Sequence, residues 1–374
     1  MGDFLGIGRP SGPDGGNGFL GPPATPDRPG IADRPGINER PGIADRPGIG
    51  DRPGNGRLPG LDDRPGIADR ERPNRPINIG NDVNLNINNR PTWANIDNNR
   101  FNQINDRSRD AIFNNVDRGN YFNNHPDRRD HWDNWGNNVR DHWDHHHHHD
   151  HWFGDDWWHN HNHACGGWHY HYHNHNHGWN YWWTVPTFAA CTSWFTWSAP
   201  QAVWSQPVYY DYGQGGNIYY EDNSVYIDGQ EICSADEYAM SAATLATVDP
   251  PANEEQAAEV EWMALGTFAV AANEEDVDPS RVIQLAVSQT GIISGTLYNS
   301  QTDDAQTVQG QVDKETQRVA FRVGNSDDIV VETGIYNLTQ DEAPVLVHFG
   351  TQQVENWLLV RLEQPEDEAA PTGG

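Results

Sequence analysis

The chain has 374 residues, only 35% of them hydrophobic, with a mean hydropathy of -0.84 and a formal net charge of -30. That is too little apolar surface to offset ordering entropy over the whole length as one globule. No run of about 20 apolar residues offers a transmembrane helix, and the acidic balance excludes a basic nucleic-acid binder.

The charge has an address. Residues 1–140 hold 19 Arg against 19 Asp and Glu, so their net charge is zero. Residues 141–374 hold four Arg and Lys314 against 35 acidic residues, which is the whole -30. Such a surface is well solvated and repels phosphate backbones and anionic lipid. Cys165, Cys191 and Cys233 fit neither a disulfide framework nor a zinc cage, and leave room for one bridge and a spare thiol. The first residues have neither a basic nor an apolar signal region, so no signal peptide is visible.

Residues 1–79 are dominated by a D-R-P-G-I-A unit. Pro29, Pro35, Pro41, Pro47, Pro53, Pro59 and Pro65 recur every six residues, each followed by Gly. A hexapeptide period invites a β-helix, but Pro in every unit removes a ladder donor and one Ile per unit builds no core. We therefore expect a disordered, polyproline-like spacer, kept neutral by alternating Asp and Arg.

Residues 80–150 form an Asn/Trp-rich segment expected to be partly helical. Trp93, Ile96, Phe101, Ile104, Ile112, Phe113 and Val116 make a broken stripe, while Trp132, Trp135, Val139 and Trp143 make a cleaner one.

Residues 151–215 are the His/Trp-rich aromatic segment. Seventeen of the 18 His lie between His125 and His177. The candidate metal ligands are the run His145, His146, His147, His148 and His149 and two alternations. The alternations are His159, His161 and His163, then His169, His171, His173, His175 and His177. In an extended strand, every second imidazole shares a face at about 7 Å spacing. Neutral imidazole suits Zn, Cu or Ni, although no closed-cage spacing appears, and no cofactor is required by any motif. Trp182, Trp183, Trp194 and Trp197 read either as a ligand platform that stacks on sugar rings or as core packing.

The stretch W-W-T-V-P-T-F through Y-Y-D-Y-G (Trp182 to Gly213), N-S-V-Y-I-D-G-Q (Asn223 to Gln230) and Y-N-L-T-Q-D-E-A-P-V-L-V-H-F-G (Tyr336 to Gly350) carry a resemblance. With the D-R-P-G repeats, they make the chain resemble a family of planctomycete mu-protocadherin-like cell-surface proteins, over nearly its whole length. The resemblance implies a cell-surface or envelope location, and with it an envelope or extracellular protein or glycan as partner. It implies no activity. Cadherin calcium motifs are absent: L-D-D-R at Leu61–Arg64 sits inside the repeat, and no D-x-N-D-N occurs.

Residues 216–261 read as a hairpin plus a helix. Strands Asn217–Glu221 and Ser224–Asp228 flank an Asp222-Asn223 turn, and Ser234 to Glu237 is a capping box opening a helix to about Thr247. A short acidic helix around Asn253–Glu261 follows. Residues 262–364 then give eight strands, near 265–271, 281–288, 291–298, 305–312, 317–323, 328–336, 344–349 and 355–362. We expect a mostly β C-terminal domain, an antiparallel meander forming a small barrel or a sandwich, followed by a disordered acidic tail at 365–374. The core candidates are Leu285, Val287, Ile293, Leu297, Val319, Phe321, Val323, Leu346, Leu358 and Val360.

No nucleophile elbow, P-loop, dinucleotide fingerprint or metalloprotease helix is present, so no catalytic residue is assigned and no enzyme is expected. His348, among apolar residues on a strand, reads as structural. The expected function is a non-catalytic surface or envelope structural and interaction protein. The alternatives are a divalent-metal-binding envelope protein and a small-ligand- or glycan-binding barrel.

Overall fold

The computed structural model describes residues 90–115, 118–146, 152–161, 179–197, 202–278, 280–324 and 326–365. The repeat, the acidic tail and most of the His tract lie outside these residues. Five helices come first: α1 (Asn98–Asn114), α2 (Tyr121–Asn124), α3 (Pro126–His146), α4 (Asp155–Asn160) and α5 (Phe188–Trp194). A three-stranded sheet follows, β1 (Ile218–Glu221), β2 (Ser224–Ile227) and β3 (Gln230–Ser234), then α6 (Ala235–Leu245) and α7 (Glu254–Glu259). The chain ends in β4 (Trp262–Ala271), β5 (Arg281–Ser288), β6 (Ile292–Asn299), β7 (Asp304–Val312), β8 (Arg318–Val323), β9 (Ile329–Gly334), β10 (Glu342–Phe349) and β11 (Gln353–Arg361).

Local chemistry explains the element starts. Asp97 accepts the Arg100 amide at 2.8 Å to open α1, and Thr187 accepts that of Ala190 at 3.1 Å to open α5. At α6 the Ser234–Glu237 capping box forms as expected. Asp222 and Asn223 have φ of 47° and 65°, the paired left-handed residues of a tight hairpin turn. The third strand, β3, was not expected. It follows a second such turn at Asp228-Gly229, with φ of 49° and 80°.

All eight long strands lie within three residues of their expected positions, and they close into an antiparallel barrel rather than a sandwich. Each strand pairs with its chain neighbour, and β11 closes on β4 from Leu358 opposite Ala271 to Arg361 opposite Phe268. A bulge between Ala264 and Gly266 lets β4 turn inward. Gly266 has φ of 122°, and a Cβ there would sit 2.0 Å from Arg361 Nη1, so only glycine fits.

The lumen is filled. One cluster draws apolar side chains from every barrel strand, including Phe268, Leu285, Ile293, Val308, Phe321, Val331, Val345 and Trp357. Eight strands enclose just enough room for such a core. Seven of the ten core candidates belong to this cluster. Leu346, Leu358 and Val360 are buried core residues as expected, in the clusters on the outer face of the wall. Strand alternation puts their neighbours Val345, Val347, Trp357 and Leu359 in the lumen instead.

The outer face is buried because the helices wrap it. Trp132, Trp135, Val139 and Trp143 of α3 pack on Ala269, Ala271, Leu358 and Val360, confirming the helical stripe. Ala242, Ala243 and Leu245 of α6 pack on Ala320 and Val330, and Trp182 covers Ala264 and Ala286. Small alanines on the wall let bulky indoles approach closely. The described residues all fall in one compact unit. None of their helices is long and apolar enough to cross a membrane. Phe113, expected in the first stripe, is instead 50% exposed.

Candidate functional site

With the lumen filled, the concave chemistry lies outside the barrel. A cleft of about 450 Å³ opens where α2 and α3 meet the β9–β10 connection. Its anchor is Asp211, fully buried, which fixes the helices to the segment before β1. Asp211 accepts from the Tyr121 hydroxyl at 2.6 Å, from Arg128 Nε and Nη2 at 2.8 and 2.6 Å, and from Trp132 Nε1 at 2.9 Å. With four donors on two oxygens, the buried carboxylate is fully paired. Burial, followed by the Asp211 charge, pushes the Tyr121 hydroxyl far above its ordinary range, so it stays a donor.

One wall is aromatic. Tyr121 stacks on His125 at 4.3 Å, Phe122 lies 4.3 Å from Tyr209, and Tyr209 meets Tyr336 edge-on at 6.4 Å. The opposite wall is polar, with Asn137 and Arg140 of α3 facing Gln340, Asp341 and Glu342. Arg140 pairs with Glu342 and also donates to Asn137 at 2.8 Å. Burial raises the Glu342 carboxyl above its ordinary range, and Arg140 only partly offsets this. The close approach depends on Gly136, where a Cβ would lie 2.5 Å from Glu342 Oε1. Arg140 Nη1 is buried with no hydrogen-bond partner.

A second polar cluster is sealed. Arg318, Glu332 and His348 lie on the outer faces of β8, β9 and β10, beneath α6. Arg318 pairs with Glu332 and donates to Ser241 at 2.9 Å, and its guanidinium sits 4.1 Å over the Tyr238 ring. His348 Nε2 is 3.3 Å from Glu332, and both residues are fully buried. Burial would raise the Glu332 carboxyl, but Arg318 and then His348 hold it below its ordinary range. The cluster is buried between the barrel wall and Tyr238 and Ser241 of α6.

Of the expected metal ligands, His145 and His146 lie exposed in the last turn of α3. His145 Nδ1 is 2.6 Å from the Asp141 carbonyl oxygen. His161, just past α4, is buried and stacks on Trp157 at 4.1 Å. Its Nδ1 contacts the Trp157 carbonyl at 2.8 Å and its Nε2 contacts Asp303 at 2.9 Å, so both nitrogens are engaged. His159 lies in α4, and its side chain is outside the described set. His147, His148, His149, His163, His169, His171, His173, His175 and His177 also fall outside the described residues. Among the described residues, no three His, Cys, Asp or Glu side chains gather to hold a metal.

The four Trp of the expected ligand platform are dispersed. Trp182 is buried against Ala264 and Trp262, with half-buried Trp183 beside it. Trp194 and Trp197 are half-buried at one end of the barrel core, donating to Val287 and Thr192 carbonyls at 3.0 and 2.8 Å. Cys191 and Cys233 are buried free thiols, each pushed up to about 12 by burial, while Cys165 is outside the described residues.

No family model, curated protein or solved structure matches the chain. The site therefore rests on its own geometry.

The cleft residues escaped sequence reading because they come from four separated stretches between Arg118 and Glu342. The available signal was the Tyr209-Tyr210-Asp211-Tyr212 run, where a lone acid among tyrosines asks for buried donors.

Proposed function

We propose that the chain is a non-catalytic interaction protein of the cell surface or envelope, an acidic β-barrel head on a neutral Pro/Gly-repeat spacer. The observation that carries the reading is the pairing of a filled lumen with an open polar and aromatic cleft on the wrapped outer wall. The buried Glu332 and His348 are sealed under α6, and in the cleft Glu342 is held by Arg140. The surface location is supported by the repeat and the family resemblance. Protease shaving of intact cells, followed by fractionation, tests it. The head should be released by external protease, and recovery only from cytosol overturns the proposal.

A second reading, divalent-metal binding, is favoured by one observation. The His142 and His146 rings lie 4.3 Å apart one helical turn from each other, where α3 runs into the His145–His149 run. An i, i+4 imidazole pair suits Zn, Cu or Ni. Calorimetry with Zn should show tighter binding to the native chain than to the His142→Ala, His146→Ala double variant. Equal binding by both ends this reading.

A further inference from the structure

We propose that the cleft between α2, α3 and the β9–β10 connection takes an uncharged saccharide segment. This rests on the interaction reading above and names the ligand class for it.

The lining balances its charges. Arg118, Arg129 and Arg140 face Asp133, Asp341 and Glu342, three of each sign. Three of these six are committed elsewhere or to each other: Arg118 donates to the Ile112 and Phe113 carbonyls, and Arg140 holds Glu342. An anionic ligand would find no spare cation pair here, and it would approach through the field of a segment carrying -30. A cation would find no unpaired buried carboxylate, because Asp211 is fully engaged behind the wall.

A polyol fits what remains. Sugar hydroxyls donate and accept at once, and side-chain amides offer both roles within one group. Asn120, Asn123, Asn137 and Gln340 line the cleft, and the first three are exposed. Arg140 Nη1 adds a buried donor that no protein group satisfies, so a ligand hydroxyl there would relieve a real desolvation cost. Half-buried Phe122 and Tyr336 flank buried Tyr209, and offer apolar ring surface to the C–H face of a pyranose. At about 450 Å³ the cleft is within the usual size range of small-ligand sites.

The test is a glycan array probed with the full chain, followed by calorimetry on the best neutral oligosaccharide and its uronate-bearing counterpart. The neutral ligand should bind better. Tyr336→Ala should weaken it about tenfold through lost stacking, and Asn137→Ala, at an exposed position that leaves the fold intact, should weaken it about threefold or more. Preference for the anionic ligand, neutral binding unchanged in both variants, or no glycan binding at all would each overturn the inference. The surface location is judged separately by protease shaving, so failure here leaves that proposal standing.

Discussion

The two faces of the barrel wall are both buried, yet by different chemistry. The inner face is filled mostly by aliphatic and aromatic strand side chains, joined at its ends by Cys191, Phe195 and Trp204 and by Arg281 and Arg361 over the Trp357 and Phe268 rings. The outer face meets a helical wrap and mixes small alanines with a buried Arg318–Glu332–His348 set. An inner core needs only volume and alternation, so it is made from interchangeable hydrophobes. An outer core must also orient the elements that cover it, and paired polar groups and indole N–H donors supply that direction. Trp132 Nε1 reaches Asp211 at 2.9 Å and Arg318 reaches Ser241 of α6 at 2.9 Å on this outer side.

The sharpest way to break this contrast is at Glu332. Glu332→Ala leaves Arg318 buried and unpaired, at a cost of about 3–5 kcal/mol by urea denaturation. A cost below about 1 kcal/mol would mean that water reaches the site and the wrap is not sealed. On the inner face, Leu285→Ala should cost about 3 kcal/mol as a cavity effect without altering the pH dependence of stability. Asp211→Asn should cost about 2 kcal/mol, weakening the pairing to Arg128 while keeping the shape, and should loosen α3 on the barrel. Tryptophan fluorescence from that face would register the loosening.

The smallest effect lies at the wrap's rim. Glu237 is held at about 2, first by its hydrogen bond from Arg100, against an ordinary 4.5. A depressed carboxyl stabilises the fold fully above about pH 4.5, and that contribution fades as pH falls toward 2. Both side chains are 28% exposed, so screening limits the pair to about 1 kcal/mol or less. Arg100→Ala should therefore destabilise slightly at pH 7 and not at pH 2. An equal penalty at both values would assign Arg100 to packing alone.

The same contrast explains what the sequence made legible. Strand positions followed from alternation and turn residues, and α6 from its Ser234–Glu237 box, because those signals are local. The stripe Trp132, Trp135, Val139 and Trp143 named one face of α3, though not the wall it covers. Leu346, Leu358 and Val360 were assigned to burial correctly, but the side was hidden: period-2 alternation fails when both faces are covered. The cleft was least legible. Tyr121, Arg140, Tyr209 and Glu342 carry no mutual spacing, and they meet only because Asp211 gathers α2 and α3 onto the β9–β10 side of the barrel.

The central claim, that wrap and barrel share one cooperative core, is tested most directly by native-state hydrogen exchange read by mass spectrometry. Amides of α3 between Trp132 and Trp143 should exchange only with global unfolding, at the same free energy as β11. Exchange of α3 through a separate opening, several kcal/mol below that of β11, would contradict it.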